Sequence, residues 1–208
     1  ELGHLRALTD DWQLLADLSF SDLVLWIKDR EGRGVWAVAQ VRPTTGPTTM
    51  VVDVAGSFMP TYAYEGSDIT SFAPVAEVGV LRHTLPVVLD GNVIAVVVRR
   101  EPDTPSRPVS DLESTYRRTS DSLIDMMGRG EFPAAVDDSS PHNQILRVGD
   151  GFVRTDKSGL VTWASPNALS AFRRMGLTGG LVGLGIVEST TRVADHVAGD
   201  AALADCFG

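Results

Sequence analysis

Apolar residues at the start of the chain fall at Leu2, Leu5, Leu8, Trp12, Leu15 and Leu18. Steps of three and four gather them on one face of an amphipathic helix over residues 2–18, which is expected to pack across a sheet. The period then changes. Leu23–Ile27 and Val35–Val41 are strand-like runs with a turn at Asp29–Gly34 between them, which predicts an antiparallel hairpin. Arg42–Thr48 carries two prolines and a glycine and reads as a loop. Met50–Val54 is expected to be a third strand. From Ala55 to Pro74 no period survives, and long loops of this kind inside a domain are often functional. Leu85–Leu89 and Val93–Val98 flank Asp90-Gly91, a dipeptide suited to a two-residue hairpin turn. The apolar run Val93–Val98 predicts a strand covered on both faces, and Pro86 belongs at an edge or bulge.

Glu101–Pro108 is a proline-rich connection. Ser110-Asp111-Leu112-Glu113 is a capping box, with serine positioned to accept from the amide three residues on. Behind it Leu112, Tyr116, Thr119, Leu123, Met126 and Met127 form an apolar stripe ending near Gly128. Two coverings of that stripe remain open: packing on the first sheet beside the Leu5–Leu15 face, or a seam between two copies of helix 110–128 in a homodimer. Residues 131–148 shift to proline, aspartate and serine and read as an interdomain linker. A second hairpin follows, with Phe152, Val153 and Thr155 on one strand and Leu160, Val161 and Trp163 on the other. Asp156–Gly159 turns between them. Ser165 is the N-cap of a helix with Pro166 in its first turn and Gly176 at its end. A last helix is expected from about Glu188 to Val197. The chain therefore divides into a domain at 1–130, a linker at 131–148 and a second domain at 149–208.

Charge narrows the function. A net charge of −9 argues against a nucleic-acid surface, which wants a basic stripe, and against an anionic membrane. No apolar run reaches the ~20 residues of a spanning helix. The chain opens on Glu1 without a charged-then-apolar leader, so a trimmed piece of a cytoplasmic protein is expected. The single cysteine, Cys206, rules out an intrachain disulfide and a multi-thiolate zinc site. His4, His83, His142 and His196 show no metal-ligand spacing, and His142 reads as a solvated linker residue rather than a phosphoacceptor. Gly179, Gly180, Gly183 and Gly185 follow a helix and precede no lysine, so they read as a connection and not as a phosphate cradle. No catalytic residue, metal ligand or cofactor is identified.

The order strand, D-x-x-G turn, strand, then ASPNAL…F…MG resembles the opening of a PAS domain, with Asn167 near the helix start and Phe172 beyond it. A full PAS fold carries three more strands, so this unit reads as incomplete. The helix and antiparallel sheet ending in LPVVLDGNVIAVVV resemble a GAF domain. Together, WQLLADLSFSDLVLW, AQVRPTTGPT and ASPNALSAF with RRMGLT resemble the sensor half of actinobacterial PdtaS-type sensor histidine kinases. The resemblance implies an α+β chain of two sensor domains: a GAF-like antiparallel sheet with flanking helices, then a PAS-like α/β unit. It implies a regulatory role toward the protein's own kinase core, which would pass phosphate to an antitermination-type response regulator. The family's His-x-x-Lys-Asn helix and nucleotide boxes do not occur here, so no catalytic residue carries over. GAF ligands lie between the sheet and its covering loops, which makes Trp36, Arg42, Tyr62, Tyr64 and His83 the candidate lining for an unidentified small molecule. Two other readings remain: a sensor module for a phosphatase or cyclase, and a stand-alone redox or ligand-binding protein.

Overall fold

The three-and-four spacing at the start of the chain becomes α1 (Leu2–Ser19) in the computed structural model of the protein. The structure describes residues 1–61, 69, 72, 77–103, 108–133 and 147–207, with side chains described as far as residue 197. The chain forms two compact units, Glu1–Leu146 and Arg147–Gly208.

In the first unit, β1 (Asp22–Lys28), β2 (Gly34–Val41), β3 (Phe58–Pro60), β4 (Val80–Leu89) and β5 (Asn92–Pro102) form one five-stranded sheet in the order β3-β2-β1-β5-β4. Every neighbouring pair is antiparallel. Side chains alternate between the faces of a strand. Leu23, Leu25, Ala95 and Val97 therefore meet Leu8, Trp12, Leu15 and Ala16 of α1. Val24, Trp26, Val96 and Val98 meet Met50, Ile69 and Phe72 on the other side. Ala95 to Val98 are all buried, so β5 is covered twice, as its apolar run predicts. Each fully buried valine or leucine contributes about 1.5–3 kcal/mol relative to exposure. The β4–β5 turn places Asp90 at φ 50° and Gly91 at φ 76°, with Leu89 opposite Asn92. Both central residues at positive φ match the twist of the strands. Pro86 lies on β4, an edge strand, where a missing N–H costs least.

Two expectations are corrected. Met50–Val54 is not a strand; the third strand is β3, paired with Gly34–Trp36 of β2. The reason is side-chain competition for backbone amides. Asp22 takes the N–H groups of Thr49 and Met50, and the Gln40 side-chain oxygen takes those of Val54 and Ala55, leaving those donors unavailable to a ladder. The second correction concerns α2 (Asp111–Gly128), whose capping box forms as expected: Ser110 Oγ accepts from the Glu113 N–H at 3.1 Å. Its buried side keeps Tyr116 and Met127 of the expected stripe but not the first residue, Leu112. Leu112 is 38% exposed, while Glu113, Tyr116, Ser120 and Met127 are buried. Leu123, Ile124 and Met127 pack within the chain against the core beneath α1.

The second unit holds β6 (Val153–Thr155), β7 (Val161–Ala164), α3 (Pro166–Arg174) and α4 (Ile186–Phe207), with a 3-10 turn at Val148–Asp150. Ser165 ties hairpin to helix: its hydroxyl accepts from Ala168 N, capping α3, and from Phe152 N. Asn167 Nδ2 donates to the Gly149 carbonyl at 2.8 Å. The glycine-rich segment runs beside β7, with Gly183 N donating to the Val161 carbonyl and Val161 N donating to the Leu184 carbonyl. Val161, Ala164, Ala168, Leu177 and Leu181 form the core, with Phe172 and Val193 packed on it.

Candidate ligand site

The loop after β2 is held down by two fully buried carboxylates. Asp17, in the last turn of α1, accepts from Gln13 Nε2 at 3.0 Å, Thr44 N at 2.6 Å and Thr44 Oγ1 at 2.9 Å. Asp22, at the start of β1, accepts four hydrogen bonds: Thr48 Oγ1 at 2.7 Å, Thr49 N at 2.5 Å, Thr49 Oγ1 at 2.7 Å and Met50 N at 3.2 Å. A buried carboxylate persists only where donors replace its water, and here the loop backbone and threonines supply them. Met50 and Val54 are thereby set on the face of the sheet away from the helices.

On that face lies a cavity of about 310 Å³, lined among the described residues by Val24, Trp26 and Val98 of the sheet, Val54, Ser57, Phe58 and Met59 of the cover, and Glu77, Arg82 and Arg100. Its walls are apolar and its charges lie together. Arg82 and Arg100 stand directly opposite each other across β4 and β5. Arg100 is committed: Nη2 meets Glu77 Oε2 at 2.6 Å and Nε donates to Thr49 Oγ1 at 3.3 Å. Arg82 has no ion-pair partner among the described residues. Burial and then the positive charge of Arg100 pull its pKa below the ordinary arginine value, with Glu77 opposing. Trp26 is 4% exposed, and its indole Nε1 has no hydrogen-bond partner among the described residues. Its ring lies 5.1 Å from that of Phe72.

Of the residues nominated from the sequence, Trp36, Arg42 and His83 are described, and none of the three lines this cavity. Trp36, on β2, donates from Nε1 to Asp29 at 3.1 Å, and its ring lies tilted against that of Phe58, a cavity residue, with centroids 4.8 Å apart. That indole hydrogen bond is the largest cause holding the Asp29 carboxyl below its usual pKa. Arg42 pairs with Asp53 at 2.8 Å and pulls that carboxyl's pKa down. His83 is on β4 and meets Glu101 at 3.4 Å. Tyr62, Tyr64 and His142 lie outside the described residues. The lining that the sequence reading missed is Trp26, Arg82 and Arg100. A signal was present: stepping by two from Val96 through Val98 along β5 lands on Arg100. Among the described residues no three His, Cys, Asp or Glu side chains gather to hold a metal ion.

Behind the cavity, β5 presents the next residue to α2. Arg99 Nη1 lies 3.6 Å from Asp121 of α2, and Arg99 Nη2 lies 3.7 Å from Glu101. Glu101 also meets Arg117 of α2 at 3.3 Å. Arg117 in turn lies over the Phe20 ring at 5.5 Å. Adjacent arginines on one strand thus face a cavity and a helix.

Residues 1–120 match the family model described as the GAF domain of histidine kinase PdtaS. The chain belongs to this family. It is 39% identical over 203 residues to the sensor histidine kinase PdtaS of Mycobacterium tuberculosis. Identity to the sensor histidine kinase PdtaS of Mycolicibacterium smegmatis is 37% over 202 residues. Each match covers 91% of this chain and 40% of the relative, so the chain spans about two fifths of the length of the curated relatives it matches. A solved structure described as the sensor region of a sensor histidine kinase superposes with a TM-score of 0.70 at 37% identity, covering 90% of this chain and 68% of that one. The chain is thus a sensor region of the PdtaS kind, built on a GAF-like α+β fold. No helix among the described residues is long and apolar enough to cross a membrane.

Proposed function

We propose that this chain receives the signal for a cytosolic two-component histidine kinase, and that a small molecule in the cavity of the first unit is that signal. The observation that carries the reading is the cavity itself, about 310 Å³ with apolar walls and convergent polar groups, in a GAF domain of a kinase family. The route out is β5. Occupancy that moves Arg100 also moves Arg99, whose contacts with Asp121 and Glu101 help to fix α2. A rigid strand shared by both contacts is a physical link, and coupling must be measured to be claimed.

The same reading takes Arg147–Gly208 as a PAS domain, supported by a hairpin followed by a Ser165-capped helix with Asn167 and Phe172. It takes the working protein as a homodimer, to which Val109 and Leu112, both exposed at the start of α2, add apolar surface. The kinase core of the longer protein would phosphorylate a response regulator. The test compares the longer protein with a version lacking residues 1–208, measuring autophosphorylation from ATP and transfer to the regulator. The proposal expects the rates to differ. Identical rates with intact folding of the kinase core would refute it.

A further inference from the structure

The chemistry of the cavity narrows the class of molecule that fits it. Among the described residues its lining charges do not balance: Arg82 and Arg100 face one carboxylate, Glu77, whose oxygen Arg100 already holds at 2.6 Å. Asp22 stands beside Arg100 in the sheet but does not line the cavity. Its oxygens are occupied by four donors from the loop. Arg82 is therefore a half-buried guanidinium held next to another guanidinium without an ion-pair partner among the described residues. Such an arrangement is satisfied by an incoming anion, and a guanidinium meets a carboxylate in a planar, two-bond geometry. The second demand comes from the walls. Val24, Val54, Val98 and Met59 offer no polar group to a ligand body, and the volume sits near the lower end of the roughly 300–1,000 Å³ of small-molecule sites.

We infer that the cavity takes a small organic carboxylate with an apolar aromatic or branched body, its carboxylate held by Arg82. This rests on the reading of the cavity as the sensing site. Arg82 selects the charge and the valine and methionine walls select the body. Binding also removes the repulsion between the two arginines, so the anion stabilises the fold more than its neutral counterpart does.

The test uses phenylacetate and 3-methylbutanoate as probes, each against its amide, with the whole 208-residue chain. Binding is followed by calorimetry and by amide chemical shifts of β4 and β5. The expected result is that a carboxylate binds at least about tenfold more tightly than its amide, a difference a direct titration resolves. Arg82→Met should abolish that preference and Arg82→Lys should keep part of it, with each variant melting cooperatively. Arg82→Met in the absence of probe is expected to melt no lower than wild type, because it removes an uncompensated charge. Amides that bind as tightly as carboxylates, with Arg82→Met changing neither, would overturn the anion assignment and leave the cavity as a site for neutral molecules. No binding by any probe up to roughly 10 mM, beyond a millimolar Kd, would overturn the ligand class. The sensing reading would then stand or fall on the cavity-filling kinase variant that closes the Discussion.

Discussion

Asp22→Ala tests how the cover of the cavity is held. The carboxylate is fully buried and accepts from two backbone amides, Thr49 and Met50, and two hydroxyls, Thr48 and Thr49. Alanine leaves the Thr49 amide without an acceptor, while the Met50 amide keeps Thr48 Oγ1 at 3.0 Å and the hydroxyls can rotate. A buried amide left unpaired costs about 1–3 kcal/mol, which is what a loop that stayed in place would lose. The loop can instead peel into water, which limits the loss to what its docking contributes. Most of that is burial of Met50, 3% exposed. A buried methionine side chain is worth about 1.5–3 kcal/mol. The expected loss for Asp22→Ala is therefore about 1.5–3 kcal/mol, the overlap of the two limits. Asp22→Asn behaves differently. Its carbonyl oxygen can stand where Oδ2 accepts from Thr49 N, Thr49 Oγ1 and Met50 N, and its NH2 can donate to Thr48 Oγ1. Only the charge assistance is lost, about 1 kcal/mol. Urea unfolding followed by circular dichroism gives both values. A loss below about 0.5 kcal/mol for Asp22→Ala, the range of ordinary surface changes, would refute the reasoning. So would an Asn variant as damaged as the Ala variant.

Two further outcomes are expected. Gly176→Ala forces a side chain onto a residue at φ 94°, where its Cβ would overlap the His196 ring. The backbone alone costs about 1–2 kcal/mol, and a thermal melt of the second unit that stays unchanged would contradict this. In the same unit, Asp156 accepts from Ser158 Oγ, Ser158 N and Leu160 N, and the Ser158 hydrogen bond leads the causes that lower its pKa. A carboxyl depressed on folding stabilises the native state above its unfolded pKa, and the contribution is lost as pH falls through the lower folded value. Hydrogen exchange at the Leu160 amide should therefore be unaffected by Asp156→Asn only at strongly acid pH, and no difference near neutrality would contradict it.

The sequence made local structure legible wherever the determinant was local. The spacing of Leu8, Trp12 and Leu15 sufficed for α1, Asp90-Gly91 for the edge hairpin, and Ser110 and Ser165 for the starts of α2 and α3. What it hid depends on distant partners. Met50–Val54 has a strand's composition, but Asp22 and Gln40 reach its amides from 28 and 14 residues away. The stripe expected on α2 includes Tyr116 and Met127, which are buried, but also Leu112, which is exposed, and it omits Ser120, which is buried. The choice between neighbouring stripes is made by what the helix docks against, which helical spacing does not encode. Arg82 and Arg100 look like ordinary strand-end charges until the register puts them opposite each other. His83, a candidate from the sequence, is one residue from Arg82. The alternation of the strand gives these neighbours opposite faces.

The central claim is that the state of the cavity sets the output of the kinase. The most direct measurement is autophosphorylation of the longer kinase carrying Val54→Trp, which fills the cavity from its half-buried loop wall without changing a charge or a sheet residue. The account predicts a rate changed several-fold and fixed against added signal, with the melting temperature of the sensor region within about 2–4 °C of wild type, the shift of roughly 1 kcal/mol in a chain of this size. A folded variant that phosphorylates at the wild-type rate and responds to added signal as wild type does would contradict it.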